Sequence, residues 1–565
     1  MTVSPKNKDQ VPSGSWIPSR KISFYALVIL TFLCFLPTLN NGLLDWDDSG
    51  YVLQNENIRI LSWETVRWAF TTFYCNYWTP LTWLSFALDY SLTGLNPVGY
   101  HLTNNIIHSL NAGLFFLVAH RLMLWNAFSK YEATHTTGYL HKNSIYCALL
   151  AALLFAVHPL RVESVAWATE RKDVLAMFFG LLAIIAYLRR ASREMHTPAV
   201  TSAPHLFAFL KSPSYWLTIV FFILSLSSKG MFVVLPMMLL VLDWFPLGRL
   251  RRRTIVALFM EKVPLLILCG LIAVVTMEAT AYTRDSYLAI QLSSRMAIAF
   301  SSLVTYLRLF LWPINISTVY LNPGNVSIDI TAVISFITAA GITCCCLLVV
   351  RKRPFFLASW LLFLIPLLPV LSVSGIHAMA PRFTYLPGLS LSLVSAIGVF
   401  TLFEMCDASP ARSIVLRCAT AAVLVLLVSI TVRDIGFWKN DITLWSRVIE
   451  LQPGKFGTAY YQRSLFFNLA GEYERALADV NEAFAIAQQK NYPGMYEIYG
   501  QRATILKNMK NYEAALADLS RVIESTGGMF GGKYYKERGD IYLLLGDSER
   551  AVADFVTAAQ YSGAK

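Results

Sequence analysis

Asp45-Trp46-Asp47-Asp48-Ser49-Gly50-Tyr51 follows an apolar run from Ile22 to Leu39. That run is about long enough to cross a bilayer, which takes roughly 20 residues. Three carboxylates therefore stand just past the mouth of a first membrane helix, where charge is costly unless it is hydrated or used. The first 21 residues are polar, and no small-residue cleavage pattern follows Leu39, so the run reads as a retained span.

The whole chain has the same character. Its 565 residues are 56% hydrophobic and 15% charged, with a mean hydropathy of +0.50, against roughly 25% charged in soluble proteins. This is the composition of a multi-span membrane protein. The formal charge of +12 does not point to nucleic acid, because the basic residues stand as short groups beside apolar runs: Arg20-Lys21, Arg189-Arg190, Arg251-Arg252-Arg253 and Arg351-Lys352-Arg353. The positive-inside rule produces that distribution. The nine cysteines are scattered without CxxC or paired Cys/His spacing, so no disulfide or metal framework is readable.

Twelve apolar runs lie between residues 22 and 432. With Arg20-Lys21 inside, the loop of Asp45 to Asp48 falls outside, and Arg121, Lys130, Arg189 and Arg249 to Arg253 fall inside. Counting every run as a crossing would put Arg351 to Arg353 outside. The run 296–313 is interrupted by Arg308 and ended by Trp312-Pro313, so we expect it to be re-entrant or to lie along the outer face. About eleven spans and an outside C terminus result.

After Arg433 the composition turns soluble and helical. Gly471-x-Tyr473-Glu474-x-Ala476, Asn511-Tyr512-Glu513-Ala514-Ala515 and Gly546-Asp547-Ser548-Glu549-Arg550-Ala551 share one template. Ala476, Ala515 and Ala551 are 39 and 36 residues apart, close to the tetratricopeptide period of roughly 34. We expect three helical hairpins stacked as a short solenoid, with Thr443-Leu444-Trp445 onward as the second helix of an incomplete unit. The expected division is a cytoplasmic tail, 1–21, an all-α membrane domain, 22–433, and a repeat domain on the non-cytoplasmic side, 434–565.

The outer face then gathers Asp47, Asp48, Trp78, Asp89, His101, His158, Glu163, Arg171, Lys172, Lys229, Arg284, Arg382 and Tyr385. Lys and Arg can hold a departing phosphate, and a carboxylate can take a proton from an acceptor hydroxyl. Each has a plainer reading. Trp78 can be an interfacial anchor, His158 before Pro159 can simply end a helix, and Asp47-Asp48 can cap one. His101 and His108 lack metal-ligand partners.

WDDSGYVLQN, NYWTPLTWLSFALDYSLTGLNPVGYHLTNNIIH, FAVHPLRVESVAWATERKDVLA, SKGMFVVLPMMLLVLDWFPLGR and RFTYLP, followed by the repeats, resemble the tetratricopeptide-repeat membrane glycosyltransferases. These are bacterial relatives of the transmembrane O-mannosyltransferases in the C-type glycosyltransferase superfamily. The resemblance implies a C-type glycosyltransferase fold and a polyprenyl-phosphate sugar donor, mannose among the candidate sugars. It also implies a protein or glycan acceptor presented by the repeats, and transfer on the non-cytoplasmic face with inversion. It implies catalytic roles for Asp47 and Asp48, donor-phosphate binding by Arg171, Lys172 and Arg382, and substrate contacts from His101, His158, Glu163, Trp78 and Tyr385. No cofactor is firmly implied. Pro381 stands where relatives carry an Asp that could orient Arg382. The implied location is a bacterial inner membrane with periplasmic repeats, or the endoplasmic reticulum with luminal ones. Two other classes remain open: a non-catalytic scaffold whose repeats recruit envelope-assembly or secretion partners, and a lipid-linked glycan transporter.

Overall fold

The computed structural model describes residues 19–125, 136–196, 207–250, 254–280, 290–321, 328–371, 377–489, 495–526 and 531–562. The tail before residue 19, Lys130, Arg251 to Arg253 and Arg284 lie outside the described residues. The chain is an all-α integral membrane protein with a C-terminal solenoid, plus one short antiparallel ribbon between Tyr320–Leu321 and His377–Met379.

Among the described residues, eight helices are long and apolar enough to span a bilayer: Arg20–Asn40, Pro97–Met123, Ala168–Glu194, Ile255–Ala279, Leu292–Leu311, Ile330–Val349, Gly388–Cys406 and Pro410–Trp438. Three apolar helices are shorter: Pro213–Ser228, Gly230–Trp244 and Pro354–Leu367. The expected run 145–158 is half of a bent pair, Ser144–Ala156 and Pro159–Ala166, angled by 58°. The break has a local cause. Pro159 cannot continue the helix's hydrogen bonding, and the His158 ring accepts from Leu160 N at 3.2 Å to start the next turn. Short Pro159–Ala166 thereby departs from the line of Ser144–Ala156.

Two helices are central. The apolar windows of Pro97–Met123 and Ala168–Glu194 are each 67% buried, against 17% for Ile330–Val349 and Pro410–Trp438. The outer helices show apolar side chains on most of their circumference, such as Ile334, Ile337, Val425 and Leu426, which in lipid carries no penalty. The central pair carries polar residues at one end: His101, Asn104 and Asn105 on the first, Arg171, Lys172 and Asp173 on the second, all buried.

Charges sort to two ends. At one, Arg20, Arg121 and Arg189 are electrostatic neighbours, close in sequence to a buried network of Tyr187, Arg190, Asp243, Arg249, Glu261 and Lys262. At the other, the first loop meets the segment Pro159–Glu170 and Arg382. The repeats dock on this second end, where Gly42 N donates to Lys439 O at 2.9 Å and Asp45 N to Asp441 Oδ1 at 3.1 Å.

The solenoid has the three expected hairpins, Gly457–Leu469 with Tyr473–Gln489, Met495–Asn508 with Tyr512–Thr526, and Gly531–Leu544 with Ser548–Ser562. Ala476, Ala515 and Ala551 are fully buried where paired helices approach closely. Each hairpin repeats one ion pair: Arg463 with Asp479, Arg502 with Asp518 and Arg538 with Asp554, bidentate at 2.6–2.8 Å. A third guanidinium nitrogen reaches back to the preceding unit, to Ser446, Asn481 and Ser520 respectively. Ser446 lies on Asp441–Leu451, so that helix is the second half of a unit, and the last span runs directly into it.

Candidate active site

Asp48 is fully buried and anchors the first loop. One of its oxygens accepts from Leu44 N at 2.9 Å, the other from Thr169 N at 2.8 Å and from the Thr169 hydroxyl. Burial pushes its carboxyl up to about 7, against the three donors that favour the charged form, and the Asp47 charge adds to the rise. Desolvation wins over hydrogen bonding here. His101 Nε2 donates to Gly42 O at 3.2 Å and fixes the start of the same loop. After Asp48 the backbone makes one wide turn, Ser49–Leu53, closed by Gln54 N to Ser49 O at 2.8 Å, a π-type geometry often found at functional sites.

Asp47 points the other way. Its side chain is 33% exposed and stands 3.7 Å from the Lys172 ammonium. Lys172 also meets Glu170 Oε1 at 3.3 Å and is boxed by the rings of Tyr51 and Tyr77 at 5.0 and 5.1 Å and Trp167 at 6.0 Å. Glu170 is the hub: it also faces Arg382 Nε at 3.4 Å and Lys229 Nζ at 3.3 Å, and Lys229 reaches Asp173 Oδ1 at 2.5 Å. Arg382 is held by Glu163 through its backbone N–H at 2.8 Å and its guanidinium, and lies over Trp167 at 5.6 Å. These carboxylates hold the Arg382 guanidinium even more firmly charged than usual. Glu163 and Glu170 thus orient Arg382 where Pro381 offers no carboxylate.

The structure brings Asp47, Asp48, Glu163, Lys172 and Arg382 together and separates the other expected residues from them. Arg171, one position before Lys172, turns about 100° around the helix. It is fully buried, with donors to Asp89 Oδ2 and Tyr100 O at 2.7 Å, Ser85 Oγ at 3.3 Å and Asn104. His158 uses both ring nitrogens, on Leu160 N and Phe310 O. Tyr385 is in the core, its hydroxyl 2.6 Å from His108 Nδ1 and accepting from Asn111 at 3.2 Å. Trp78 Nε1 donates to Phe70 O at 3.0 Å. Sequence reasoning missed Thr169, Tyr51, Tyr77 and the hub Glu170. The signal for the hub was present: Glu170 and Asp173 are three apart and share a helix face, which a cation such as Lys229 can bridge.

Four tryptophans tie this end to the solenoid. Trp46 packs on Trp167 and on Trp445 at 5.4 Å each, and Trp167 stacks on Trp438 at 5.6 Å. Any movement of the first repeat helix is therefore felt by the loop that bears Asp47.

The tetratricopeptide repeat pattern matches residues 496–526, the middle hairpin. The human protein O-mannosyl-transferase TMTC2 is 35% identical over 113 residues, 20% of this chain and 11% of its own length. Human TMTC4 is 29% identical over 216 residues, 36% of this chain and 27% of its length. Tmtc1 of Drosophila melanogaster is 33% identical over 170 residues, 28% and 17%. The chain thus spans between 11 and 27% of the length of these curated relatives. ArnT from Cupriavidus metallidurans, solved bound to undecaprenyl phosphate, aligns with 89% of this chain and 80% of its own, at a TM-score of 0.35 and 14% identity. That likeness is too low to transfer a site. By sequence the chain is similar, over part of its length, to protein O-mannosyl-transferases, and it carries a tetratricopeptide repeat.

Proposed function

We propose that the protein is a membrane glycosyltransferase that moves a sugar, mannose in the related enzymes' names, from a polyprenyl-phosphate donor to a hydroxyl of a protein or glycan acceptor. The observation that carries this reading is the pair of Asp47 and Lys172: an accessible carboxylate 3.7 Å from a buried ammonium, at the end of an apolar bundle on which a repeat solenoid is docked. Lys172 takes the donor phosphate. Of its two carboxylate partners Asp47 is the farther, at 3.7 against 3.3 Å, so the phosphate releases Asp47 first. Asp47 then accepts the proton of the acceptor hydroxyl as that oxygen attacks the anomeric carbon from the face opposite the phosphate, which inverts the centre. The proton goes to the Asp47 carboxylate and the electron pair of the breaking C–O bond goes to the phosphate. Arg382, over Trp167 and braced by Glu163 and Glu170, is the second cation available to the leaving group.

In this reading Asp48 and Arg171 are positioning residues. Asp48 holds the loop that presents Asp47, and Arg171 clamps Asp89, Asn104 and Tyr100 beneath Lys172. The positive-inside bias supports a site and repeats on the non-cytoplasmic face, with Leu292–Leu311 lying along the outer face or re-entrant and about eleven crossings. The membrane is the bacterial inner membrane in the first instance and the endoplasmic reticulum in the second. The domain limits 22–433 and 434–565 belong to the same reading, with the refinement that the final span feeds the first repeat helix. The test is transfer from a panel of polyprenyl-phosphate sugars by the reconstituted full chain and its Asp47→Asn variant. Equal activity in the two would refute the assignment.

A further inference from the structure

Lys172 is almost closed off, its side chain only 4% exposed. Of the three rings around its ammonium, two are locked in the core: Tyr51 lies 4.5 Å from Trp83, and Trp167 is wedged between Trp46 and Trp438. The third, Tyr77, is 44% exposed and can leave without dismantling its neighbours. It closes a tight turn in which Tyr77 N donates to Tyr74 O at 3.0 Å. Both central residues of that turn are left-handed, Cys75 at φ 51° and Asn76 at φ 62°. Asn tolerates that region, whereas Cys pays a steric penalty there. Cys75 Sγ rests against Gly50, where an added Cβ would sit 3.3 Å from the sulfur. A strained turn thus carries the one removable cover of the buried cation, on the side where Asp47 is open.

We infer that the turn Tyr74 to Tyr77 is the gate through which a lipid-linked phosphate reaches Lys172, with Tyr77 as its moving part. This rests on the proposed function and deepens it. A cation held over neutral rings gains less than one in contact with a phosphate oxygen, so an arriving headgroup displaces the Tyr77 ring. The same event loosens Lys172 from Asp47. Access of donor and release of the base become one step.

Gly50→Cys in the full chain tests this. A disulfide sets each Cβ about 3 Å from the far sulfur, so the thiol introduced at position 50 is placed to bond Cys75 and staple the turn shut. Binding of a polyprenyl monophosphate to the purified, detergent-solubilised protein should weaken at least tenfold on oxidation and recover on reduction. Wild type and Gly50→Cys/Cys75→Ser should ignore the oxidant. Unchanged affinity with the disulfide verified by mass spectrometry overturns the inference. A second variant needs no disulfide. Tyr77→Ala should bind the same probe several-fold faster and tighter, while Tyr77→Phe, which keeps the ring, should match wild type; unchanged or slower binding by Tyr77→Ala overturns the gate. Failure of the underlying function looks different: wild type then binds no polyprenyl phosphate, or binds it equally well as Lys172→Met, and the gate falls with it.

Discussion

The two ends of the helical bundle both hold buried charges, and they are built to opposite specifications. At the end near Arg189 and Arg190, Asp243 receives Arg249 at 2.8 Å and Lys262 at 2.7 Å, with the Tyr187 hydroxyl against both oxygens. Glu261 receives Arg190 at 2.6 Å and Arg249 at 3.0 Å, and Glu194 closes the set. Three acids meet three bases. At the site end four acids, Asp47, Glu163, Glu170 and Asp173, face three bases, Lys172, Lys229 and Arg382, with a fifth acid, Asp48, buried beside Asp47. Here the Tyr51 hydroxyl and the Trp167 indole N–H are buried with no hydrogen-bond partner among the described residues. Unsatisfied polar atoms occur at both ends, since the Arg190 Nε also lacks a hydrogen-bond partner among the described residues, so the difference lies in charge balance. A charge-balanced cluster locks helices together, whereas one with acids in excess leaves carboxylates in reserve for a ligand.

Substitutions on the two sides should therefore fail in different assays. Asp47→Asn should lower transfer by about 10²–10⁴-fold, the usual worth of a general base, and leave stability within about 0.5 kcal/mol because Asp47 is part-exposed. Initial rates and a denaturation curve measured on the same preparation check both halves; a stability loss as large as the rate loss would erase the distinction between the ends. Lys262→Met should do the reverse. Removing one partner of a buried ionic cluster costs about 3–5 kcal/mol, so it should sharply lower the unfolding midpoint in detergent. The folded fraction should retain a wild-type KM for the donor. A changed KM would mean that the far end is coupled to the site.

What the sequence discloses about each region follows from how local its signal is. The repeats are legible because Ala476, Ala515 and Ala551 recur at nearly constant spacing, and their Arg–Asp ladder was readable as well, since each pair is sixteen residues apart. The acids of the first loop are legible because charge beside a span is expensive. The direction of Arg171 against Lys172 is not. In a helix buried over most of its surface no clear polar stripe marks which face meets which neighbour, and Asp89, the partner of Arg171, is 82 positions away. Glu163 replaces a missing carboxylate at Arg382 only through a fold that joins positions 219 apart.

Asp48 supplies a test of intermediate size. Its folded-state carboxyl lies near 7 against an ordinary 3.8, so between about pH 4 and 7 the folded chain holds a proton that the unfolded chain has lost. Stability then falls as pH rises through that window, by a few kcal/mol at most, at about 1.4 kcal/mol per unit. Asp48→Asn removes the titration and should flatten the profile of unfolding midpoint against pH from 4 to 7. A slope unchanged by the substitution would place that titration on another group.

The smallest expected effect comes from Thr169, whose hydroxyl and N–H both serve Asp48. Thr169→Val keeps the shape and the N–H but removes one donor to a carboxylate, about 1.5–3 kcal/mol where the acceptor is charged. With fewer donors favouring the charged form, the Asp48 carboxyl should rise further, carrying the pH-dependent fall in stability to higher pH. Thr169→Ser should restore wild-type behaviour because its hydroxyl can make the same bond. The transfer rate separates the roles of the two acids. If Asp48 acts only by holding the loop, Thr169→Val lowers the rate a few-fold through a less well placed Asp47, and the pH at which the rate rises stays put. If Asp48 itself takes the acceptor's proton, the alkaline shift of its carboxyl moves the rate profile with it, and the division between an exposed base and a buried strut has to be redrawn.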